Sequence, residues 1–566
     1  MMNFEGKTDA QKVKLITSHF GHAQQRRKPF EPLWDVESKI FLPRRYDFLR
    51  NDRRGKQYGA KVYSGQPANA ANKCALGILN YMASKSVPWL AFASSKQAIM
   101  KDDKAKKYYQ QAAEQVLWSF NKSTFFGSSV WFVKDGIVIG TAASFPEYNL
   151  RDDKVMYRTV HPGDSYVEDD EYGVPCIYLR ELKRTAIQLY AMAGKENLPE
   201  EVIAAAEGKQ QGKNPFTEYE VLMAVYKNTD YSEGQESKRP QDGPNKLFYI
   251  LMAGKEENKR LIVETGIDNF PLLWRYGKEP DTSYGTSLAA DALTQALVDN
   301  KIQEKQLLAV HKAVENPLLI HENLRNKLRL GPAGHTFRKD SNETIERIQE
   351  RYDIGMSDAQ MARIHAIIDD TFFVRFFEMI SNGDLPQITA YQVRQMLGEK
   401  ATLMSSMTES FEEAYLEGAV ETQWKYETKA GRMPEPPDIL LDPEYGNGTI
   451  DTQYIGPLSQ LQRSVLKSKG IIDGVEIMSQ IAQLWPNSLI KVNEMELIEE
   501  AGVNQGMQQS LFKSDDEIKE ILDEQAEKEQ MREAMELAGQ AGQAASGLGQ
   551  DIQPDSPLAM MGEAIQ

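Results

Sequence analysis

The sequence predicts a mixed α+β protein of several domains in which helix predominates. Its 566 residues exceed what one hydrophobic core usually serves. Over the first 280 residues, short runs of β-branched and aromatic residues alternate with stretches of helical periodicity. From Thr286 onward, long segments without proline carry apolar residues at helical spacing. These three observations favour an α+β body followed by long helices.

The α+β body is predicted element by element. Apolar residues at helical spacing predict a helix over 104–121. Strands are predicted at 130–139 and 157–167, with turns at Asp135-Gly136 and at 161–164. Further short strands, separated by polar loops of which 228–245 is the longest, are predicted at 176–182, 219–226, 247–252 and 261–264.

Three long helices are predicted beyond this body. The first, 286–312, is polar on nearly every face around its middle, which is typical of a helix that lies on a wet surface or between two bodies. The second, 357–380, has Ser357 as its predicted N-cap and an apolar, buried end. After a polar loop the third runs from a Thr389 cap to about residue 425.

Charge and composition exclude several classes of protein. The net charge of −16 opposes tight binding of nucleic acid over the whole surface. Two distant cysteines, Cys74 and Cys176, exclude a disulfide framework and a four-thiolate zinc site. No run of about 18 uninterrupted apolar residues occurs, so we predict a chain without a membrane span, located in the cytoplasm.

The two ends of the chain differ in charge. Residues 24–61 hold eleven Lys or Arg against five acids, interleaved with aromatic residues, so one hypothesis is a monomeric nucleic-acid-binding protein. The favoured interpretation is an amphipathic helix anchored by Trp34 and Phe41, with solvated or paired arginines. The region 494–536 is acidic and predicted helical, and 539–566 lacks the large apolar groups that offset ordering entropy.

Enzyme chemistry has weak support. Ser287 follows a predicted strand and precedes a predicted helix, which allows a serine hydrolase with Ser287 as nucleophile as an alternative function. A nucleophilic serine should follow its strand directly, however, and here about ten polar residues separate the two. Thr286 or Ser287 is therefore better interpreted as a helix cap. No phosphate-binding Gly-x-x-x-x-Gly-Lys-Ser/Thr loop is present. His19-x-x-His22 would need further ligands to bind a metal, and we interpret it as two surface histidines. We predict no catalytic residue, cofactor or metal.

Several motifs, in order and spacing, carry a resemblance to a known family. They are Val62-Tyr63-Ser64 through Pro88-Trp89, Val138-Ile139-Gly140-Thr141, Phe270-Pro271 with Trp274-Arg275, Tyr284-Gly285, Asn316-Pro317-Leu318-Leu319, Ile388-Thr389-Ala390 with Val393, and Tyr454-Ile455-Gly456-Pro457-Leu458. Over about 26–462 the chain resembles the head-to-tail connecting, or portal, proteins of short-tailed phages. It departs from that pattern at Thr286-Ser287-Leu288, at a single Pro317 and at Tyr391.

The resemblance implies a ring of twelve subunits at one capsid vertex. It implies a division of the chain into the first part of an α+β wing (1–285), stem helix 1 (286–312), a small α/β clip (313–355), stem helix 2 (356–380), a channel loop (381–388), a long wing helix with the second part of the wing (389–455), a helical crown (456–538) and a disordered tail (539–566). The expected location is the virion, and the host cytoplasm during assembly.

The implied partners are other copies of the chain, double-stranded DNA in the channel, the terminase large subunit, tail adaptor proteins, and the major capsid and scaffolding proteins. The channel would be lined by stem and loop residues, for which the candidates are Lys301, Lys305, Lys312, Arg363, Asn382, Gly383, Asp384, Leu385, Pro386 and Gln387. The clip candidates for docking terminase or tail are Asn316, Pro317, His321, Arg325, Lys327, Arg329, His335 and Arg338.

Overall fold

A computed structural model provides the fold. It describes residues 4, 6–43, 61–94, 96, 99, 102–209, 214–228, 231, 243–252, 259–314, 318–324, 329, 335, 337, 339–342, 344–347, 354–381, 400, 404–442, 450–463, 478, 497–498, 518, 521, 523–535 and 537. Residues 382–388 of the predicted channel loop, the predicted Thr389 cap, most of the predicted crown and the whole predicted tail lie outside the described residues.

The described residues form a mixed α/β structure. The helices are α1 Asp9–Arg27, α2 Glu31–Phe41, α3 Gln66–Met82, α4 Asp103–Lys122, α5 Phe125–Ile139, α6 Ala186–Ala193, α7 Glu200–Ala206, α8 Leu288–Val314, α9 Ile354–Thr371, α10 Val374–Ser381, α11 Ser405–Phe411, α12 Glu417–Lys429, α13 Asp438–Leu441 and α14 Pro457–Arg463. The strands are β1 Leu90–Ala93, β2 Thr141–Asn149, β3 Lys154–Val160, β4 Ser165–Asp169, β5 Pro175–Thr185, β6 Glu218–Lys227, β7 Asn245–Leu251, β8 Arg260–Ile267, β9 Leu272–Arg275, β10 Gly277–Lys278, β11 Gly285–Thr286, β12 Leu318–Ile320, β13 Ile345–Arg347 and β14 Asp451–Tyr454.

The largest sheet is an antiparallel meander in the order β4-β5-β6-β7-β8. Side chains alternate between the two faces of a strand, and on the central strand β6 both faces are covered by a hydrophobic core. Val221, Met223 and Val225 face the core that contains α6 and α7. Leu222 and Ala224 face the opposite core, which α1 covers. Strands predicted from four short apolar runs are confirmed here.

The predicted strand at 130–139 is wrong, because this segment is helical and belongs to α5. Asp135 and Gly136 lie inside the helix rather than in a turn. The helix is central to the main core and is covered by α2, α3, α8 and the strands β2 and β3. A helix buried on most sides has no polar face, so its sequence lacks the period that distinguishes it from a buried strand.

Trp274 occupies the middle of the main core. It is fully buried on β9, the strand that pairs with β2. Its ring stacks on Phe132 of α5 at 6.3 Å and meets Phe411 of α11 edge-on at 5.0 Å. Its Nε1 donates to Ser410 Oγ at 3.2 Å. A Cβ on Gly136 would overlap the Trp274 ring, so a glycine is required at that point of α5.

Two glycines make a close backbone contact beside this tryptophan. Gly140 ends α5 in the left-handed conformation, with φ of 84°. A Cβ on either Gly140 or Gly285 would overlap the backbone of the other. The contact is fixed by hydrogen bonds from Tyr276 N to Gly140 O at 3.1 Å and from Gly285 N to Thr141 Oγ1 at 2.9 Å. The chain between β9 and α8 is therefore held against the end of α5.

The predicted long helices are present within the described residues. Helix α8 spans 27 residues, close to the predicted 286–312. The second predicted helix is divided at Phe372 and Phe373 into α9 and α10, and Phe373 has a φ of 54°. Ser357 lies inside α9, which begins at Ile354, so its prediction as an N-cap is wrong. The described part of the third predicted helix consists of α11 and α12, which are joined by a π-helical segment, Glu412–Leu416.

Within the described residues, every helix is either too short or too polar to cross a membrane.

Replacing Gly136 with alanine is expected to destabilise the protein. The new methyl group must displace the Trp274 ring, and overpacking of this kind costs about 1–3 kcal/mol. Gly127→Ala on the same helix is the matched control, because a Cβ there meets open space and alanine favours a helix by about 1 kcal/mol. Thermal unfolding of both variants measures the difference, and equal melting temperatures would contradict the packing described here.

Candidate functional site

Helices α8 and α9 pack against each other as a hairpin. Gln306 Nε2 of α8 donates to Ser357 Oγ and to Asp358 Oδ1, both at 2.9 Å. Seven residues earlier on α8, Asp299 Oδ1 lies 2.9 Å from Nε2 of His365. Positions rise along one helix as they fall along the other, so the two helices are antiparallel. We call α8 and α9 the helical hairpin.

The two halves of α8 differ in burial. The first half contributes buried residues to the main core, namely Leu288, Ala289, Ala292, Ala296 and the carboxylate-bearing Asp299. Among the described side chains of 300–314, none is buried. Several large apolar groups are exposed there, with Leu307 at 48 %, Val310 at 50 % and Val314 at 79 %. This half of the helix projects from the core and leaves apolar surface uncovered in the single chain.

The outer half of α8 has two chemically distinct faces. Lys301, Lys305 and Lys312 are four and seven residues apart and share one face. The apolar stripe, which consists of Leu307, Val310 and Val314, follows a spacing of three and four residues and shares another face. At about 100° per residue the centres of the two faces are roughly opposite each other. The helix therefore presents its lysines in one direction, where Leu308 is also exposed, and the apolar stripe in the other.

The root of the hairpin is tied to the N-terminal helices. Ser287 Oγ accepts a hydrogen bond from Ala290 N at 3.0 Å, which confirms the predicted helix cap. The same hydroxyl donates to Glu37 Oε1 of α2 at 3.1 Å. Glu37 is buried, and burial, with the nearby Asp291 carboxylate adding to it and the Ser287 hydrogen bond opposing it, raises the pKa of Glu37 to about 8. Glu37 is therefore mainly a neutral acid at pH 7.

Further polar contacts hold the middle of the hairpin. The Asn300 side chain accepts from Tyr63 N at 2.6 Å and donates to Lys61 O at 3.1 Å, so α8 binds the backbone that leads into α3. On the other helix, Asp369 Oδ1 accepts from Gln66 Nε2 at 2.7 Å. The roles of Asn300 and Glu37 were not predicted from the sequence. The polar run around residue 300 was visible, but the segment that it binds was not.

A family model described as "Bacteriophage head to tail connecting protein" matches residues 13–512. The chain belongs to this family. It is 22 % identical over 565 residues to the portal protein of Salmonella phage epsilon15, with 98 % of each chain covered. It is 21 % identical over 546 residues to the probable portal protein of Bordetella phage BPP-1, with 95 % of each covered. The family resemblance drawn from the sequence motifs is confirmed, and with it the function as a head-to-tail connector of a tailed phage.

Family membership gives a context for the predicted channel residues of this connector. Lys301, Lys305, Lys312 and Arg363 are all exposed on the helical hairpin. Lys301 Nζ lies 2.6 Å from Glu304 Oε2. The hydrogen bond from Lys301 lowers the pKa of Glu304, so this carboxylate stays charged. The loop candidates Asn382, Gly383, Asp384, Leu385, Pro386 and Gln387 lie outside the described residues.

The predicted clip of this family member lies between the two hairpin helices. Its described part contains the antiparallel pair β12 and β13, with Leu318 opposite Arg347. His321, Arg329 and His335 are exposed, and Phe337 beside them is 85 % exposed. The other docking candidates lie outside the described residues; they are Asn316, Pro317, Arg325, Lys327 and Arg338.

The described part of the basic N-terminal region has a structural use in this connector. Trp34 and Phe41 are buried on α2, which confirms the predicted amphipathic helix. Arg27 is also buried and was predicted to be solvated or paired. Its guanidinium donates to Gly163 O and Ser165 O, both at 3.0 Å, and pairs with Glu31. The remaining basic residues of 44–60 lie outside the described residues.

Stability of the folded chain is expected to fall as pH rises from about 4.5 to 8. The unfolded chain loses the Glu37 proton near pH 4.5, whereas the folded chain keeps it to about pH 8. Unfolding therefore releases a proton in this window, which removes stability on the order of a few kcal/mol before the effect levels off. Glu37→Gln cannot ionise and should show a flatter dependence. Urea unfolding of both proteins at several pH values measures this.

The control for this experiment is Glu279→Gln, since Glu279 is exposed. This control should keep the wild-type pH dependence. An unchanged pH slope in Glu37→Gln would show that Glu37 ionises normally in the folded chain.

Proposed function

We propose that copies of this connector pack side by side into a closed ring of twelve at one capsid vertex, through which double-stranded DNA enters and leaves the head. The observation that carries the proposal is the outer half of α8, where an apolar stripe and a lysine face lie on roughly opposite sides of a helix whose described side chains there are not buried. In a ring, one side of a subunit contacts its neighbour while another faces the axis.

The apolar stripe supports contact with a neighbouring copy. The exposed fraction is 48 % for Leu307, 50 % for Val310 and 79 % for Val314, whereas the inner half of the same helix is packed into the core. Contiguous apolar surface of this kind marks an interaction site in soluble proteins. A second copy of the hairpin is the occupant that a head-to-tail ring places there, since the same interface then repeats around the axis.

The lysine face supports a bore that contacts DNA weakly. Each cation that neutralises a phosphate adds salt-dependent affinity, which would resist movement of the duplex. Lys301 is already paired with Glu304, and the whole chain has a net charge of −16. The wall would therefore carry few effective cations. Arg363 on α9 and the loop 382–387 complete the proposed channel surface.

The clip is proposed as the docking surface for the terminase large subunit during packaging and for tail adaptor proteins afterwards. His321, Arg329, His335 and the exposed Phe337 ring combine polar and apolar groups at one end of the hairpin. The wing is proposed to contact the major capsid and scaffolding proteins. The role is structural rather than enzymatic, since the Ser287 hydroxyl serves as a helix cap and donates to Glu37.

A charge in the apolar stripe is expected to prevent ring formation. In Leu307→Asp with Val310→Asp, two carboxylates would have to be buried against the neighbour, which costs several kcal/mol per interface. Light scattering should give a mass of several hundred kilodaltons for the wild type, built from chains of 64.0 kDa, and smaller species for the variant. Negative-stain images should show a central hole in the wild type.

The matched control is Leu150→Asp, because Leu150 is 84 % exposed on the turn between β2 and β3. Ring size should be unchanged in this control. A wild type that remains a monomer, or a stripe variant that forms the same ring, would reject the proposed interface.

The lysine face is tested by the salt dependence of DNA movement. Alanine at Lys301, Lys305 and Lys312 removes the proposed phosphate contacts, so the rate of packaging in vitro should depend less steeply on salt than in the wild type. Alanine at Lys14, Lys85 and Lys107, which are exposed elsewhere, is the control and should leave the salt dependence unchanged. Equal salt slopes for all three proteins would remove these lysines from the channel.

A further inference from the structure

Two histidines of α1 converge with a glutamate of the large sheet. His19 and His22 are three residues apart, so they lie on one face of the helix. Glu168 belongs to β4, at the position where the pairing of β4 with β5 shifts register. Such irregularities redirect side chains. From the sequence alone, the histidines are a surface pair without further ligands, and the fold supplies a ligand from 146 positions away.

The contacts at this cluster are specific. Glu168 Oε2 lies 2.5 Å from Nε2 of His19, and Glu168 Oε1 lies 3.4 Å from Nδ1 of His22. The side chains of His19 and Glu168 are each 10 % exposed, whereas that of His22 is 60 % exposed. One ligand atom from each of the three residues lies within 4.8 Å of the other two. The cluster is therefore buried on one side and open to water at His22.

We propose that His19, His22 and Glu168 bind a zinc ion, with water as the fourth ligand on the exposed side. Two imidazoles and one carboxylate are a donor set that Zn²⁺ accepts in tetrahedral sites with one open position. Bonds of about 2.0–2.1 Å place tetrahedral ligand atoms about 3.3 Å apart. Oε1 of Glu168 already has that separation from His22 Nδ1, at 3.4 Å. His19 contacts the other oxygen, Oε2, and the three ligand atoms, which lie within 4.8 Å of one another, must adjust by about 1 Å to surround one ion.

The surroundings of His19 suit a metal ligand. Its other ring nitrogen, Nδ1, lies 3.3 Å from the Tyr226 hydroxyl. Tyr226 is buried, and its hydroxyl oxygen can accept the Nδ1 proton. In the metal-bound form, Nε2 would then carry a lone pair for an ion placed between His19 and Glu168. Partners of this kind commonly orient metal-binding histidines.

Glu168 is available as a charged ligand. Its two carboxylate oxygens lie 2.5 Å from a ring nitrogen of His19 and 3.4 Å from a ring nitrogen of His22. A buried carboxylate needs a compensating positive charge. A divalent cation supplies that charge and at the same time uses both imidazole lone pairs.

Zinc at this position would fasten α1 to the five-stranded sheet. The same helix is already attached by Lys12, whose Nζ lies 2.7 Å from Glu264 Oε2 on β8, and by the contacts of Arg27 near β4. The metal site lies on the sheet, away from the helical hairpin, and does not depend on the proposed ring or channel.

Zinc titration of the full-length, chelator-treated protein tests the proposal. Calorimetry with Zn²⁺ alone should show one equivalent bound per chain, and Co²⁺ in its place should give the visible absorption of a tetrahedral site. Mg²⁺ should not bind there, because it prefers oxygen ligands in octahedral geometry. His22→Ala should weaken zinc binding by more than about tenfold. His311→Ala removes an exposed histidine on α8 and should leave the affinity unchanged.

The result that overturns the site is a wild type that binds no stoichiometric zinc, which would leave an ordinary histidine–glutamate ion pair. An equal loss of zinc affinity in His22→Ala and His311→Ala would show that zinc binds at scattered surface positions, and it would also overturn the proposed site. Glu168→Gln provides a second test if circular dichroism shows that it folds. His22 is largely exposed, so its alanine variant keeps the proposal testable if the Glu168 variant does not fold.

Discussion

The packing of Trp274 against Gly136 is the contact on which the rest of the structure depends. It joins β9, α5 and the helix that begins at Ser405, three elements that are far apart in sequence. Strand β9 then pairs with β2, and the chain that follows is held by the contact of Gly140 with Gly285. Because α8 starts three residues after Gly285, the direction of the helical hairpin is set by the core of the α+β body.

This arrangement creates a gradient of burial along one helix. The root of α8 is capped by Ser287, bonded to Glu37 and packed on α5, whereas its outer half exposes apolar surface. A partner that binds only the folded chain stabilises it, and the stabilisation grows with the logarithm of the affinity. In the proposed ring, neighbouring copies would supply to the outer half the stabilisation that the core supplies to the root. Assembly would then order the part of the molecule that the single chain supports least.

The sequence predicted elements where local patterns are sufficient. Short apolar runs between polar turns gave the strands of the five-stranded sheet, and a long segment without proline gave α8. Prediction from the sequence failed for α5, because a helix with apolar residues on most sides shows no helical period and because the pair Asp135-Gly136 is typical of a turn. It also failed for Ser357, since α9 begins three residues earlier. The lysine face follows from spacing alone, but Glu37, Asn300 and Glu168 act on distant segments that no local pattern reveals.

Opposite faces of a single helix impose a constraint on the proposed channel. If the apolar stripe is fixed against a neighbour, the helix cannot rotate, and the lysines on the other side are held at a set distance from the axis. Lys301 forms an ion pair with Glu304, one helical turn away. Because this carboxylate stays ionised, it reduces the attraction of Lys301 for a phosphate. Repeated around a ring, such partly neutralised cations give a potential that varies little with the position of the duplex. A smooth, weak potential would let DNA move in either direction, which the proposed role in both packaging and ejection requires.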